Sequence, residues 1–504
     1  MNQKAVQNSI KNSVFAVLLK LLQIAFPFVT RTIIIHTLGL AYVGVSGLFT
    51  SIFGLLNIAE LGIGSALLQA LYEPIKQNDR EKENAIINFY RKAYFIIGIV
   101  ITVISLLLVP FLKNIIKAGT YPEDLNIYYI YFVNIASTAI GYLIYSYKSL
   151  LLEAHQRGRD ANKVRILFSF LQYGVQIPVL LVTGNYYLYV SIGPIISLLS
   201  VLAISSVCDK RLPGYEPKGD LSTEDKTLLQ KNISALFLYK IGSVVNNNVD
   251  SIVISAFLGA TILGAYNNYY LIVSSVSALI SVCYAAVLPS IGNAFAGKTK
   301  EEIYEIFKII SFFYAWIIGW CTICFACLLE PFIVLWAGDL SSQGVAFSFL
   351  FAVYFYVWRF PDSLSIIKDS LGLWRKDKWR PFCTACLNLA LNILLTKYIG
   401  LYGILLSTII ATLCVNFPLS MKVVMSFLGK QIKDYLFPQL LSVFVFFILG
   451  TITYIICTAI NISNIYTNLL FKLIICIFVP NLIYFMLNYK NQYFRKLVLL
   501  FKMK

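Results

Sequence analysis

Apolar runs of about 20 residues or more recur along the whole chain, and they decide what it can fold into. A run of that length crosses the hydrocarbon core of a bilayer as a helix. Hydrophobic residues make up 59% of the chain and charged residues only 13%, a balance that excludes a water-soluble globule. Outer-membrane barrels alternate in segments of about 10 residues, whereas these runs are continuous. The sequence therefore predicts an all-α polytopic membrane protein, in which helices satisfy the backbone inside the lipid.

The apolar runs predict about fourteen transmembrane helices. The predicted spans cover residues 13–36, 42–71, 93–112, 126–151, 164–183, 186–207, 233–258, 262–294, 307–336, 344–369, 381–398, 402–423, 434–459 and 468–488. The first span is not a signal peptide, because it has no small-residue cleavage site and is interrupted by Pro27 and Arg31.

Residues 11–44 are matched, without a gap, by residues 231–264, which lie 220 positions later. The matched pairs include Lys11 with Lys231, Asn12 with Asn232, Lys20 with Lys240, Leu38 with Leu258, Gly39 with Gly259, and Gly44 with Gly264. Internal symmetry of this kind is typical of transporters, whose substrate sites lie between the repeats.

The repeat predicts four segments. These are an N-terminal six-helix bundle at 1–207, a cytoplasmic linker at 208–232, a C-terminal six-helix bundle at 233–430, and two extra transmembrane helices with a basic cytoplasmic tail at 431–504.

The distribution of basic residues predicts the orientation of the chain. Most of the 41 Lys and Arg residues fall in loops on the side of the N-terminus, and four lie inside the predicted spans. Those in the opposite loops are Lys113, Lys117, Lys397 and Lys472. Because cytoplasmic loops are rich in Lys and Arg, both termini are expected in the cytoplasm. The net charge of +17 is then explained by anionic lipid headgroups, and nucleic acid is not an expected partner.

Two motifs suggest chemistry that their context does not support. The stretch 292–299, GNAFAGKT, fits a phosphate-binding loop, but that loop needs a preceding strand. We interpret it as a helix end followed by a turn. The cysteines of predicted spans nine and eleven have spacing like that of iron–sulfur ligands, yet they lie in apolar helices, where free cysteine behaves as a small hydrophobe. They are Cys321, Cys324, Cys327, Cys383 and Cys386. No metal site is expected.

A few cations lie inside the predicted spans and are the most informative residues. They are Lys20, Arg31, Lys240 and Arg359. Each costs about 2.5 to 3.5 kcal/mol at a helix centre, so we expect them to face a wet cavity or a partner. Lys20 and Arg31 lie about three turns apart, roughly 16 Å along one helix face. Lys240 and Asn247 share a face in the same way, so the two repeats present equivalent polar stripes.

Simpler interpretations of these charges remain open. Lys20, Lys240 and Arg31 could extend to the membrane surface, and Arg359 could pair with Asp362, one turn away. Two further carboxylates, Glu60 and Asp250, are candidate counter-ions or carriers of a proton or cation, as is Asp362.

A cavity richer in Lys and Arg than in carboxylates favours an anionic ligand. Diphosphate fits, because Lys and Arg bind phosphate through charge-assisted hydrogen bonds. Asn247 and neighbouring Tyr and Asn side chains could contact sugar hydroxyls.

Four stretches carry a family resemblance. They are RTIIIHTLGLAYVGVSGLF at 31–49, AELGIGSALLQALY at 59–72, NNVDSIVISAFLGATILGAYNNYY at 247–270 and GLWRKDK at 372–378. With the repeats and short loops, the chain resembles the polysaccharide transporter branch (Wzx-like O-antigen and capsule repeat-unit flippases) of the multidrug/oligosaccharidyl-lipid/polysaccharide (MOP) flippase superfamily. The lipid II flippases are also similar in architecture.

The resemblance implies two six-helix bundles around a central cavity. It implies a flippase that moves an undecaprenyl-diphosphate-linked oligosaccharide to the outer leaflet of a bacterial plasma membrane by alternating access. It also implies membrane lipids, and candidate polysaccharide polymerases and glycosyltransferases, as partners. No cofactor is expected beyond H⁺ or Na⁺ as a coupling ion. Lys20, Arg31, Lys240 and Arg359 are the positions that suit the cationic substrate site of the family.

Two other functions were weighed against the flippase. An ion-coupled drug or metabolite antiporter on the same scaffold is the main alternative, although the first span lacks the acidic residue that drug-exporting relatives use. A membrane enzyme such as a polymerase is not expected, because such enzymes need positioned acid–base groups and the outside loops here are short and nearly free of charge.

Overall fold

The computed structural model describes residues 3–60, 62–144, 146–460 and 462–496. Every regular element in these ranges is a helix, which confirms the predicted fold class. Packing divides the chain into two compact units, Met1–Gly264 and Ala265–Lys504. The predicted boundaries of the sequence repeats remain a prediction.

The helices of the first unit run from α1 to α10. Their bounds are α1 Gln3–Thr37, α2 Leu40–Leu56, α3 Ile63–Gln77, α4 Arg80–Leu108, α5 Leu112–Ile115, α6 Ile127–Leu143, α7 Ser146–Ala154, α8 Gly158–Thr183, α9 Tyr186–Arg211 and α10 Thr223–Phe257. Helix α11, Ala260–Phe295, contains the boundary between the units.

The second unit continues from α12 to α19. The bounds are α12 Lys300–Ala337, α13 Val345–Arg359, α14 Asp362–Ser370, α15 Arg380–Ile399, α16 Leu401–Ala411, α17 Phe417–Leu428, α18 Ile432–Ala459 and α19 Ile465–Asn488. A turn of wider π-helix, Thr412–Asn416, joins α16 to α17.

Ten spans in the described residues are long and apolar enough to cross a membrane, or eleven if the broken pair α6 and α7 counts as one. The predicted count of about fourteen is not confirmed. The predicted span at 42–71 is divided by the short 3₁₀ helix Asn57–Glu60, and the span at 344–369 is divided between α13 and α14. Asparagines and charges keep α10, which contains the span at 233–258, below the same apolar threshold.

Helix ends follow the sequence repeat. Helices α1 and α10 each have 35 residues, and both their starts and their ends are offset by 220 positions. Each is followed by a Leu-Gly pair whose glycine has a positive φ, +99° at Gly39 and +101° at Gly259. Glycine adopts this left-handed region without the steric cost of a Cβ. The repeated Leu-Gly pair therefore stops the helix at the same place twice.

A second repeated glycine allows two helices of the first unit to touch. A Cβ atom on Gly44 of α2 would lie 1.8 Å from the carbonyl oxygen of Ala260, and one on Gly264 of α11 would lie 2.2 Å from that of Leu40. Both distances are too short for any side chain. The backbones of α2 and the start of α11 can approach this closely only because both residues are glycine.

The linker between α9 and α10 packs on the start of α4. Asn88 donates a hydrogen bond to the carbonyl of Gly219 at 2.7 Å, and Lys82 forms an ion pair with Asp225 at 3.0 Å. The Asp225 carboxylate also accepts from Ser222. The hydrogen bonds from Lys82 and Ser222 hold the pKa of Asp225 below its usual range. This part of the predicted linker is thus an ordered surface rather than a free tether.

In the second unit, α18 and α19 pack against α12. The indole of Trp316 donates to Asn481 Oδ1 at 2.9 Å, and that of Trp320 donates to the carbonyl of Cys476 at 2.9 Å. The sequence predicts two extra helices at this end of the chain, and in the structure one side of this pair is covered by α12. Large apolar side chains such as Phe437 and Phe447 remain 72% and 71% exposed, as lipid-facing residues would be.

Candidate functional site

The first unit contains a cavity of about 780 Å³. Its walls come from α1, the 3₁₀ helix Asn57–Glu60, α3, α4, α6, α7, α8 and α9. Hydroxyl and amide side chains are frequent among the lining residues, including Gln23, Ser65, Thr138, Gln172, Ser197 and Ser200. A space of this size and polarity could hold a hydrophilic ligand inside a protein whose outer surface is apolar.

Glu60 lies in the wall of this cavity, where the 3₁₀ helix interrupts the predicted second span. Its carboxylate accepts a hydrogen bond from the Tyr142 hydroxyl at 2.7 Å and another from the Tyr94 hydroxyl. Both tyrosines are buried, at 8% and 4% exposure. The 3₁₀ helix points the carboxylate toward α4 and α6, which supply the two phenols.

The hydrogen count at Glu60 is informative. The Tyr142 hydroxyl lies 2.7 Å from Glu60 Oε2 and 2.8 Å from Asn57 Oδ1. One hydroxyl hydrogen cannot point fully at two acceptors. A proton on Glu60, donated to Tyr142, would satisfy all three groups, and so would rotation of the Asn57 amide by half a turn. The heavy-atom distances are compatible with both arrangements of the hydrogens.

Two other charged residues line the same cavity, Glu153 and Arg165. Arg165 donates to Ser149 Oγ at 2.6 Å and to Asn162 Oδ1 at 3.1 Å. The lining therefore holds more carboxylate than cation, the reverse of the balance expected for the predicted substrate cavity. That cationic cavity remains a prediction.

Lys240, one of the predicted cations, contacts a residue that lines this cavity. It is half-buried on α10, and its Nζ donates to Ser65 Oγ at 3.0 Å. Ser65 belongs to α3 and lines the cavity. The ammonium group therefore contacts a residue of the cavity wall, although Lys240 is not itself among the lining residues.

The two cations of α1 differ in their surroundings. Lys20 is exposed, although its neighbour Leu19 and Gln23, one turn further, line the cavity. Arg31 is half-buried and lies near Tyr189 of α9. The two side chains thus occupy different environments, although the helical spacing places them on one face.

The polar stripe of α10 is only partly buried. Asn247 is exposed, whereas Asp250 and Ser251 are buried, at 7% and 8% exposure. Asn248, the residue after Asn247, packs its side chain against Gly54 of α2, in the space that a larger residue at position 54 would fill. The stripe therefore continues from the interface with α2 to the surface of the helix.

In the second unit, Arg359 and Asp362 form an ion pair with an Nη2–Oδ2 distance of 2.6 Å. Arg359 ends α13 and Asp362 begins α14, so the pair spans the break between the two helices. The Arg359 side chain is 10% exposed and that of Asp362 19%. The pair offers a structural role for both residues and leaves Arg359 little exposed surface.

Sequence reasoning missed the half-buried carboxylate of Glu330. It accepts hydrogen bonds from Tyr269 and Ser348, both at 2.7 Å, from the backbone of Gly344 at 3.2 Å, and from Ser342. Four donors fully satisfy this carboxylate, so it binds the loop before α13 to α12. The sequence did offer one signal for Glu330, since it is a charged residue near the end of a long apolar run.

Three buried thiols also meet in the second unit. The Sγ atoms of Cys327, Cys457 and Cys476 lie within 4.8 Å of one another, and this is the group in the described residues that could hold a metal ion. They come from α12, α18 and α19. From its spacing in the sequence, Cys327 was grouped with Cys321 and Cys324 instead. The three-thiol cluster was missed because helix packing brings its members together from distant parts of the chain.

The phosphate-loop motif has the structure expected of a helix end. Helix α11 ends at Phe295, and Thr299 caps α12 by accepting from the backbone of Glu302. The interpretation as a helix end and a turn is confirmed.

Comparison with known proteins gives one family and a set of similar folds. A family model described as "Polysaccharide biosynthesis protein" matches residues 9–295. A lipid II flippase, MurJ, in an inward closed conformation has a TM-score of 0.65 at 14% identity, covering 95% of this chain and 99% of its own. An inward-facing multidrug resistance MATE family transporter of the MOP superfamily has a TM-score of 0.64 at 16% identity, covering 84% and 99%.

A third similar structure is a MOP superfamily transporter from Pyrococcus furiosus. Its TM-score is 0.57 at 16% identity, and the match covers 85% of this chain and 97% of that one. That transporter has a binding pocket described as having reverse polarity. A comparison with curated proteins gives no match.

Proposed function

The chain belongs to the polysaccharide biosynthesis protein family and has the fold of the MOP superfamily transporters, and from this premise we propose that it is a flippase for lipid-linked oligosaccharides. The substrate would be an undecaprenyl-diphosphate-linked repeat unit for a capsule, O-antigen or exopolysaccharide. Its sugar-diphosphate headgroup moves through the protein from the cytoplasmic to the outer leaflet, while the prenyl chain stays in the lipid.

The observation that carries this proposal is the polar cavity inside a membrane-embedded unit. A volume of about 780 Å³ lies within the range of about 300 to 1,000 Å³ that is typical of small-molecule sites. Its hydroxyl and amide lining can exchange hydrogen bonds with sugar hydroxyls, replacing the water that the headgroup loses in the membrane. An apolar drug would not need so many polar partners.

The cations provide the second part of the proposal. Lys240, which donates a hydrogen bond to the lining residue Ser65, is the residue that we assign first to the diphosphate. Lys20, Arg31 and Arg359 would contact the diphosphate in other steps of transport, and Asn247 the sugar. The carboxylates Glu60, Asp250 and Asp362 would act as coupling groups or counter-ions.

The setting follows from the same proposal. The protein would lie in a bacterial plasma membrane with both termini in the cytoplasm, as the basic loops predict. Alternating access would move the headgroup, and membrane lipids would surround the protein. Polysaccharide polymerases and glycosyltransferases would act after and before it. The similar structures are transporters and flippases rather than enzymes, and we propose no catalytic residue.

The deciding experiment is the sidedness of the lipid-linked oligosaccharide in cells depleted of this protein. Sugar on the outer face of intact cells is labelled with a membrane-impermeant oxidant and compared with the total glycolipid measured by mass spectrometry. We expect glycolipid to accumulate on the cytoplasmic face alone. Glycolipid that reaches the outer face at the normal rate would contradict the proposal.

An ion-coupled drug or metabolite antiporter is the second candidate. It is favoured by Glu60, a carboxylate that two phenols hold in the cavity, and by the similarity of the fold to MATE transporters. This candidate predicts that depletion increases the accumulation of cationic dyes and leaves the sidedness of glycolipid unchanged. The two measurements on one depleted strain separate the two functions.

A further inference from the structure

Helix α17 and the segment that leads into α15 enclose a buried charge network in the second unit. The Lys368 ammonium, 1% exposed, donates to Asp377 Oδ2 at 2.6 Å and to Ser420 Oγ at 2.9 Å. Arg380 donates to the same oxygen of Asp377 at 2.6 Å, and also to Asn416. Two cations therefore neutralise one carboxylate, and the network retains a positive charge.

This excess charge borders a pocket of about 640 Å³. The cations on its wall are Lys300, Lys376, Arg380 and Lys422. Among the described residues that line it, Asp377 alone is a carboxylate, and it is already paired twice. Such a pocket attracts an anion, and its four cations come from four different elements that hold them around one space.

Apart from Ser426, the rest of the pocket wall is apolar. Trp379, Leu419, Val423 and Phe427 line it, and Trp379 is 56% exposed. The ammonium of Lys300 lies 5.7 Å from the centre of the Phe427 ring. A small soluble anion would gain no binding free energy from these apolar side chains. A lipid, in contrast, would place its phosphate on the cations and its glycerol and acyl carbons against the apolar wall.

We propose that this pocket binds the phosphate headgroup of an anionic bilayer phospholipid, in the leaflet that the basic loops face. Basic pockets between membrane helices on the cytoplasmic side are suited to such headgroups. Exposed Trp is enriched at the level of lipid headgroups, which agrees with the position of Trp379. The lining of this pocket shares no residue with that of the cavity in the first unit, so the proposal holds whatever the transported substrate is.

The test uses the full-length chain purified in a neutral detergent. Dioleoyl phosphatidylglycerol, dioleoyl phosphatidylcholine and inorganic diphosphate are titrated separately, and binding is measured by native mass spectrometry and by the shift in Tm. The variant is Lys376→Gln with Lys422→Gln, whose side chains are exposed and leave the buried network intact. The matched control is Lys433→Gln with Lys490→Gln, two exposed lysines outside the pocket.

We expect phosphatidylglycerol to bind more tightly than phosphatidylcholine. Because each cation near the surface contributes to lipid binding, the pocket variant should bind phosphatidylglycerol at least about tenfold more weakly, and the control variant as the wild type does. Equal binding of the two lipids, or an equal loss in both variants, would overturn the proposal. Inorganic diphosphate that binds as tightly as phosphatidylglycerol would also overturn it, because the apolar wall would then contribute nothing.

Discussion

Gly44 and Gly264, 220 positions apart, each lie against the carbonyl of the residue four positions before the other. Gly44 faces Ala260 and Gly264 faces Leu40, with 1.8 Å and 2.2 Å left for a Cβ atom. We expect Gly44→Ala to destabilise the protein by about 1 to 3 kcal/mol, since the added carbon forces two helix backbones apart. The measurement is Tm in detergent.

The matched control for this substitution is Gly174→Ala in α8, where a Cβ would meet no atom within 4 Å. Alanine in an open helix position should be neutral or stabilise by up to about 1 kcal/mol. Equal Tm values for the two variants would show that α2 and α11 are not in contact at Gly44.

Glu60→Gln tests the carboxylate in the cavity. The amide keeps the size of the side chain but cannot accept and release a proton. We expect transport to fall at least about tenfold, in line with the conserved functional use of ionisable groups in membranes, with normal protein in the membrane. Surface polysaccharide and protein level are measured together. Glu153→Gln, in the same cavity but exposed, should transport normally; an equal defect in both would remove the special role of Glu60.

Lys240 provides a test of the cationic site. If its charge binds diphosphate, Lys240→Met should abolish transport, and Lys240→Arg should retain part of it because guanidinium also binds phosphate. Ser65→Ala removes the hydroxyl that Lys240 contacts but keeps the charge, so its effect should be small. Normal surface polysaccharide in Lys240→Met cells, or in the double variant with Lys20→Ala, would refute the cationic-site model.

Arg359 and Asp362 can be separated into structural and transport roles by a double-mutant cycle. Removing one partner of a buried ion pair typically costs about 3 kcal/mol, because the other charge stays unpaired. We expect Arg359→Gln and Asp362→Asn each to lower Tm, and the double variant to lose less than the sum. Strictly additive losses would mean that the two side chains do not stabilise each other.

The thiols of α18 and α19 test the packing of the C-terminal hairpin. Cys457 and Cys476 are buried, with Sγ atoms 4.0 Å apart, so a small movement would allow a disulfide bond. Iodine, which enters the bilayer, should produce a cross-linked peptide that mass spectrometry detects, and Cys457→Ser should remove it. Cross-linking of Cys383 to Cys386 instead would contradict the described arrangement.

Local features of the fold were predictable because they repeat or are apolar. The Leu-Gly pairs at 38–39 and 258–259 end two helices at equivalent positions, and long apolar runs gave the helical class. Breaks inside apolar runs were not predictable. The 3₁₀ helix at Asn57–Glu60 has no proline or charge run to mark it, and the phenols that contact Glu60 come from distant parts of the chain.

The candidate site, like the fold, was only partly predictable from the sequence. An ionisable residue in a predicted span is visible in one sequence, so Glu60 and Lys240 could be selected. Their partners could not, since Tyr142 is 82 positions from Glu60 and Ser65 is 175 positions from Lys240. Contacts between distant helices depend on packing, which a hydropathy pattern does not contain. The thiol cluster was missed for the same reason.

The glycine contact also bears on the origin of the chain. In each of the two equivalent segments, the glycine contacts the carbonyl that lies one turn before the glycine of the other segment. Two identical surfaces that contact each other in this way form an isologous interface. A half-length ancestor would have formed this contact with a second copy of itself around a two-fold axis. Gene fusion would then have joined the two copies in one chain. After that, the two copies were free to differ in their carboxylates.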